Sequence, residues 1–465
     1  SEMCIRDSFQ VSGTNAYLSI DVEGDGPDDG DSLTALAPLA QVTVDLGNAS
    51  IVGYGATITY DGLDSISADA GGQVVNVAAS AFDDHVVVTP NNATSGTVVA
   101  NDSAPSVFYN NTAGNAVNIN LGGGEDTLTV VGNALSQTFD INIPGSSVRV
   151  DDLNNAVNDG IVTWVGNESL EVDGRQGDDT FNVIAGAIPL FIDGGDPIGQ
   201  TAGDKFNMLA GGGPVTFEAG PENDEGGILI GTNARISYDH IEAGQVTDAQ
   251  CIIVMGTNGD DDITVIARTQ LANPLRYATA DGNKDFTTTV NGGIEILWVN
   301  NNAADANVKL FVDGLSGDDD VVFRAPALNP ANNLPIAWNV QAWVAGGSPS
   351  TVTGDQGDVF ELGTPGQNRV QYTPTGYGTG VIQLDSTNGG VFDTTINLVE
   401  NFVCDCDANG VNDYASSDGG FEQFNYDGEG GNDLFTVVDT VNNDVIVHTP
   451  GAPVSYTHLT LPTKA

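Results

Sequence analysis

At 465 residues with 40% hydrophobic composition, the chain is long enough to bury one extended core or several domains, and it is not a disordered polymer. Asp and Glu number 63 against 12 Lys and Arg, a formal charge of -51 that repels phosphate backbones and anionic headgroups, so nucleic acid and membrane surfaces are excluded as partners. No apolar run reaches the roughly 18 residues of a membrane span, and the 59 glycines follow no triplet period, which excludes collagen and assigns them to turns.

The first residues, SEMCIRDS (1–8), share nothing with the interior and resemble translated sequencing-adapter sequence, as do the last, PVSYTHLTLPTKA (453–465). Both are set aside from fold reasoning, and the chain between them is expected to be a fragment of a longer bacterial protein of metagenomic origin. From Leu18 the text LSIDVEGDGPDDGDSLTAL joins hydrophobic alternation to a Gly-Asp turn, and DVEGDGPDD (21–29) inside it is a weak calcium-loop pattern. INLGGGEDTLTV (119–130) repeats the arrangement, and LEVDGRQGDDTFNV (170–183) is its clearest copy. There Leu170 and Val172 alternate with polar residues before the turn, and Phe181 and Val183 after it, the period of half-buried strands. Gly174 and Gly177 are expected to take the positive φ of a tight reversal, beside Asp173, Asp178 and Asp179.

Further copies are LFIDGGDPIGQTAGDKFNML from Leu190, IVMGTNGDDDITV (253–265), LFVDGLSGDDDVVF (310–323), AWVAGGSPSTVTGDQGDVFEL from Ala342, and FNYDGEGGNDLFTV (424–437). The spacing of Asp126, Asp179, Asp204, Asp261, Asp319, Asp358 and Asp433 is uneven, so insertions vary while the strand pairs persist. Helix periodicity with caps is absent. The fold class expected is all-β, an elongated parallel β-solenoid-like repeat array, with tandem β-sandwich domains as the alternative. The array covers 9–403, a candidate calcium loop 404–418, and a final β-repeat 419–452.

GGGEDTLTV (122–130) resembles the GGxGxDxUx nonapeptide of hemolysin-type calcium-binding repeats, in which ions sit between turns of a β-roll. The resemblance implies Ca2+ and names Asp126, Asp179, Asp261, Asp319 and Asp433 as ligands, joined by Asp178, Asp260 and Asp318. Because these copies lie tens of residues apart, each site needs ligands from a neighbouring coil. DCDANGVND (405–413) resembles the DxDxNGxxD loops of dockerin and thrombospondin type 3 repeats, which implies calcium held by Asp405, Asp407, Asn409 and Asp413 side chains and the Val411 carbonyl. Ser416 stands at the twelfth position, where a bidentate acid is expected, and weakens that site.

No GxSxG elbow, P-loop or HExxH string occurs, and the interior basic residues are scattered from Arg149 to Arg369. His85 and His240 each lie near Asp, the ordinary setting of a structural or solvated histidine. Cys251, Cys404 and Cys406 either pair in an oxidising compartment or stay free, and with Cys4 they are too few for a disulfide framework. The expectation is a secreted or cell-surface structural or adhesive protein, calcium-stabilised and without catalysis, meeting a polysaccharide or cell-surface ligand. The alternative is a carbohydrate-active β-solenoid enzyme such as a polysaccharide lyase, which needs clustered Asp, basic and aromatic residues.

Overall fold

The computed structural model describes residues 8–13, 17–24, 30–152, 160–197, 203–249, 251–268, 284–299, 308–349, 357–376, 378–404, 414–416, 419–429 and 433–438. Every regular element among them is a β-strand, and no helix is long and apolar enough to cross a membrane. The chain divides into two compact units, Ser1–Phe206 with Asn233–Ile241, and Asn207–Thr232 with Glu242–Ala465.

In the first unit the strands His85–Asn92, Thr127–Val131, Ser169–Asp173, Leu190–Asp193 and Ile236–Asp239 run parallel and in register. That register builds two inward rows, Val86–Leu128–Leu170–Leu190–Ile236 and Val88–Val130–Val172–Ile192–Tyr238, all buried. Each such side chain is worth about 1.5–3 kcal/mol when taken fully out of water, and none can be buried without the coil above or below it. A second ladder joins Gln137–Asn142 to Thr180–Ile184, where Phe139 and Phe181 stack at 5.0 Å.

The second unit repeats the device with larger side chains. Strands Asp262–Ala267, Asp320–Arg324, Val359–Gly363 and Gln423–Asp427 align Ile263, Val321, Phe360 and Phe424. Strands Pro214–Ala219, Cys251–Met255, Val308–Asp313, Val340–Ala345 and Thr394–Leu398 form another parallel ladder. This parallel, in-register stacking of distant segments is the solenoid arrangement, whereas β-sandwich sheets pair antiparallel. Antiparallel meanders are inserted into the coils, as in Gln137–Asn142, Ser147–Asp152 and Gly160–Val165, and again in Asp262–Ala267, Phe286–Val290 and Glu295–Val299.

The Gly-Asp turn is a corner between ladders. Ser169–Asp173 pairs with Thr127–Val131 and Leu190–Asp193, while Thr180–Ile184, beyond the turn, pairs with Gln137–Asn142. The chain bends into the next ladder instead of reversing, and of the two glycines expected at positive φ Gly177 takes it (128°), while Arg175 (76°) does so in place of Gly174.

Candidate functional site

The two carboxylates of each Gly-Asp-Asp turn point to opposite sides of the chain. Asp179, Asp261 and Asp319 are buried, whereas Asp178 and Asp260 are exposed and Asp318 is half-buried. The alternation of a strand-like backbone accounts for this separation, because successive side chains face opposite ways.

The buried carboxylates form columns that hydrogen-bond one coil to another. Asp84 N–H donates to Asp126 Oδ1 (2.8 Å), and Asp126 N–H to Glu168 Oε2 (2.7 Å), each pair 42 residues apart. In the second column Gln137 N–H donates to Asp179 Oδ1 (2.6 Å), and Asp179 N–H to Asp204 Oδ1 (2.5 Å). In the second unit Asp261, Asp319 and Asp358 donate in turn to Asp319 Oδ1, Asp358 Oδ1 and Glu422 Oε2, each at 2.9 Å. Asn368 N–H donates to Asp433 Oδ1 at 2.9 Å. A corner leaves backbone N–H groups outside the sheet ladders, and a carboxylate from the adjacent coil satisfies one of them each time.

The glycines make room for this. A Cβ on Gly174 would lie 2.5 Å from Asp179 Oδ2 and 2.7 Å from the Gly194 carbonyl oxygen, and one on Gly256 would lie 2.6 Å from Asp261 Oδ2 and 2.8 Å from the Gly314 carbonyl oxygen. The glycine before the paired acids sets the approach of neighbouring turns, since a Cβ at Gly177 would strike Ser136 N at 2.7 Å. Gly174→Ala is expected to cost ~1–3 kcal/mol through overpacking. Gly123→Ala, which meets open space, should leave the urea midpoint unchanged. Equal midpoints for the two variants would show that the void under Asp179 is not required.

Among the described residues, Asp126, Asp179, Asp319 and Asp358 keep Oδ2 buried without a hydrogen-bond partner. Burial, and then neighbouring acids, push their carboxyl groups upward: Asp179 and Asp319 to about 8, Asp358 to about 6, and Asp126 in the same direction. Asp433 is likewise raised to about 6 by burial, against the hydrogen bonds from Asn368. Both oxygens of Asp261 are hydrogen-bonded: Oδ2 accepts from Thr257 N–H at 2.7 Å and Oδ1 from Asn291 Nδ2 at 2.6 Å.

The outward acids stack on one another. Asp318 N–H donates to Asp260 Oδ1 (3.0 Å), and Glu125 N–H to Asp83 Oδ1 (3.0 Å). Asp262 and Asp320 are paired in register beside the first of these, both exposed, and burial followed by the charge of Asp262 raises the Asp320 carboxyl. Two coils thus present Asp260, Asp262, Asp318 and Asp320 at the ~4.8 Å spacing of neighbouring strands, where like charges repel. Of the sequence-named ligands, Asp260 and Asp318 are brought together on the outside, while Asp126, Asp179, Asp261, Asp319 and Asp433 hold coils together. Asp405, Asp407, Asn409, Val411 and Asp413 lie outside the described residues.

Sequence reading placed Asp204 and Asp358 in the repeat series without naming them as ligands, and it passed over Asp84, Glu168, Gln137, Glu422 and Asn368. The signal for several was present as the 42-residue offset that also aligns Asn76 with Asn118 and Asp140 with Asn182. His85 Nε2 meets Thr129 Oγ1 at 2.9 Å on the outer face, and His240 Nδ1 meets Asp193 Oδ1 at 2.8 Å. Arg149 is bound to Asp140, Arg175 to Asp173, Arg268 to Glu295 and Arg324 to Glu429, each cation beside a different acid. No protein-family model matches this chain, and no curated protein matches it.

Proposed function

We propose that the chain is part of a secreted or cell-surface structural or adhesive repeat protein whose coil stack is stabilised by calcium and which carries no catalytic site. The observation that carries this reading is the use of the buried carboxylates: they join coils through backbone N–H groups. A polysaccharide or cell-surface ligand would meet the outer faces, where polar ladders such as Thr127–Ser169 stand in register. The cations named above are dispersed, each paired locally, which supports a scaffold over a lyase that needs a basic residue beside metal-bound acids.

Calcium enters through the outer column. Asp260, Asp262, Asp318 and Asp320 would offer hard oxygen ligands of the kind this ion takes, drawn together on binding, and its charge would offset their repulsion. At about tenfold excess over Kd, one such site stabilises by ~1.4 kcal/mol. Millimolar calcium is therefore expected to raise the melting temperature more than sodium chloride of equal ionic strength. Asp260→Ala with Asp318→Ala should shrink that rise while leaving the value in chelator unchanged or higher, and Asp407→Ala separates out the 405–413 loop. Identical melting curves in the two salts, with no calorimetric heat of calcium binding, would remove the cation from the proposal.

A further inference from the structure

Most strands bury one face and present polar groups on the other, but Cys251–Met255 buries both. Its inner residues Ile252 and Val254 continue the rows of Leu310 and Val312. Its outer residue Ile253 aligns with Phe311 and Trp343, an apolar row on the side that elsewhere meets solvent. Phe311 and Trp343 stack at 4.7 Å with 8° between their planes.

A short hairpin covers this row. Strand Phe402–Cys404 pairs antiparallel with Tyr414–Ser416, placing Cys404 opposite Tyr414. Phe402 lies 5.1 Å from Phe311, and Tyr414 Oη donates to Asp313 Oδ2 at 2.5 Å. Cys251 Sγ and Cys404 Sγ face each other at 3.0 Å, with both residues at most 1% exposed in a cluster with Ile253, Phe311, Ala345 and Phe402. A two-stranded hairpin of this size has little stability of its own, so its contacts with the ladder must hold it.

We propose that Cys251 and Cys404 form a disulfide that latches this hairpin over the Ile253–Phe311–Trp343 row, making the cover conditional on oxidation. The two thiols lose two protons and two electrons to the disulfide of an oxidising partner, by thiol–disulfide exchange, and that disulfide leaves as two thiols. The cross-link joins residues 153 apart and so restricts a long loop of the unfolded chain. It places the second unit's folding in an oxidising compartment, an inference independent of calcium and of any ligand.

The test uses the full chain carrying Cys406→Ser, refolded in a mixture of oxidised and reduced glutathione, then denatured and alkylated without reductant. The expected result is a Cys251–Cys404 peptide pair that vanishes on reduction, with neither residue alkylated. Chymotryptic cleavage at Phe402 and Tyr414 in the native protein should become at least about tenfold faster after reduction, since local opening then breaks no covalent bond. Cys404→Ser should cleave at the reduced rate with or without reductant. Alkylation of both cysteines, a link from Cys251 to Cys4, or cleavage rates indifferent to reductant would overturn the proposal.

Discussion

Replacing Asp319 with alanine is expected to lower the stability of the second unit by ~1–3 kcal/mol, the cost of leaving a buried donor unmet. The side chain is fully buried, and its Oδ1 accepts from Asp261 N–H at 2.9 Å, while its own N–H is held by Asp358 Oδ1. Alanine removes the first of these bonds and leaves the second, so the loss falls on the junction with the Asp261 turn. Asn at this position keeps an acceptor oxygen of the same reach, and Asp319→Asn should retain most of the stability at pH 6. Asp318→Ala alters an outward group next door and should change little. Tryptophan fluorescence in urea is a suitable readout because Trp298, Trp338 and Trp343 all lie in this unit. If the midpoints of Asp319→Ala and Asp318→Ala coincide, the column does not hold the coils.

The strands around such a column were legible in the sequence, and its membership was not. The hydrophobic alternation around Leu170, Val172, Phe181 and Val183 was enough for strands, and the repeated turn was enough for a stacked array, because both are local patterns set by burial. The side-chain partners depend instead on which turn lies against which. Asp126 and Asp179 look like successive members of one uneven series, yet Asp126 stacks with Asp84 and Glu168, and Asp179 with Gln137 and Asp204. Mixing the two columns hid the regular 42-residue step. Glu168 and Gln137 also escape a search for Asp, although each supplies a side-chain oxygen at a column position. The calcium resemblance drew attention to Asp179 and Asp319 for their carboxylates, whereas burial makes the charged form of each costly. Of the acids secondary in that resemblance, Asp260 is exposed and Asp318 half-buried, and the two stack through the Asp318 N–H.

Raising the pH from 7 to 9 in the presence of chelator is expected to destabilise the protein. Burial, followed by the charges of Asp178 and Asp173, lifts the Asp179 carboxyl to about 8, and burial with Asp358, Asp261 and Asp260 does the same for Asp319. Both values stand above the ~3.9 of an unfolded Asp, so the folded state holds protons that the unfolded state has released. The resulting stability is complete below pH ~4 and is lost as pH rises through the folded value, with a slope of at most ~1.4 kcal/mol per pH unit for each group. Ordinary surface carboxylates finish titrating well below pH 7, so their mutual repulsion is already constant in this window. Asp358 and Asp433, raised only to about 6, have largely lost their protons by then and contribute mainly between pH 4 and 7. The Asp179→Asn, Asp319→Asn double variant should flatten the decline between pH 7 and 9, because an amide keeps the acceptor and carries no titrating proton. A wild-type melting temperature that is level or rising over that interval, or a double variant with the same slope, would show that the two carboxyl groups ionise at ordinary values inside the stack. Calcium gives an independent check on the geometry: an ion on the outer Asp260–Asp318 column should shift the curve upward and leave the Asp179 part of its slope intact, easing only the Asp260 contribution at Asp319, whereas an ion on the inner oxygens would displace the protons and remove the slope.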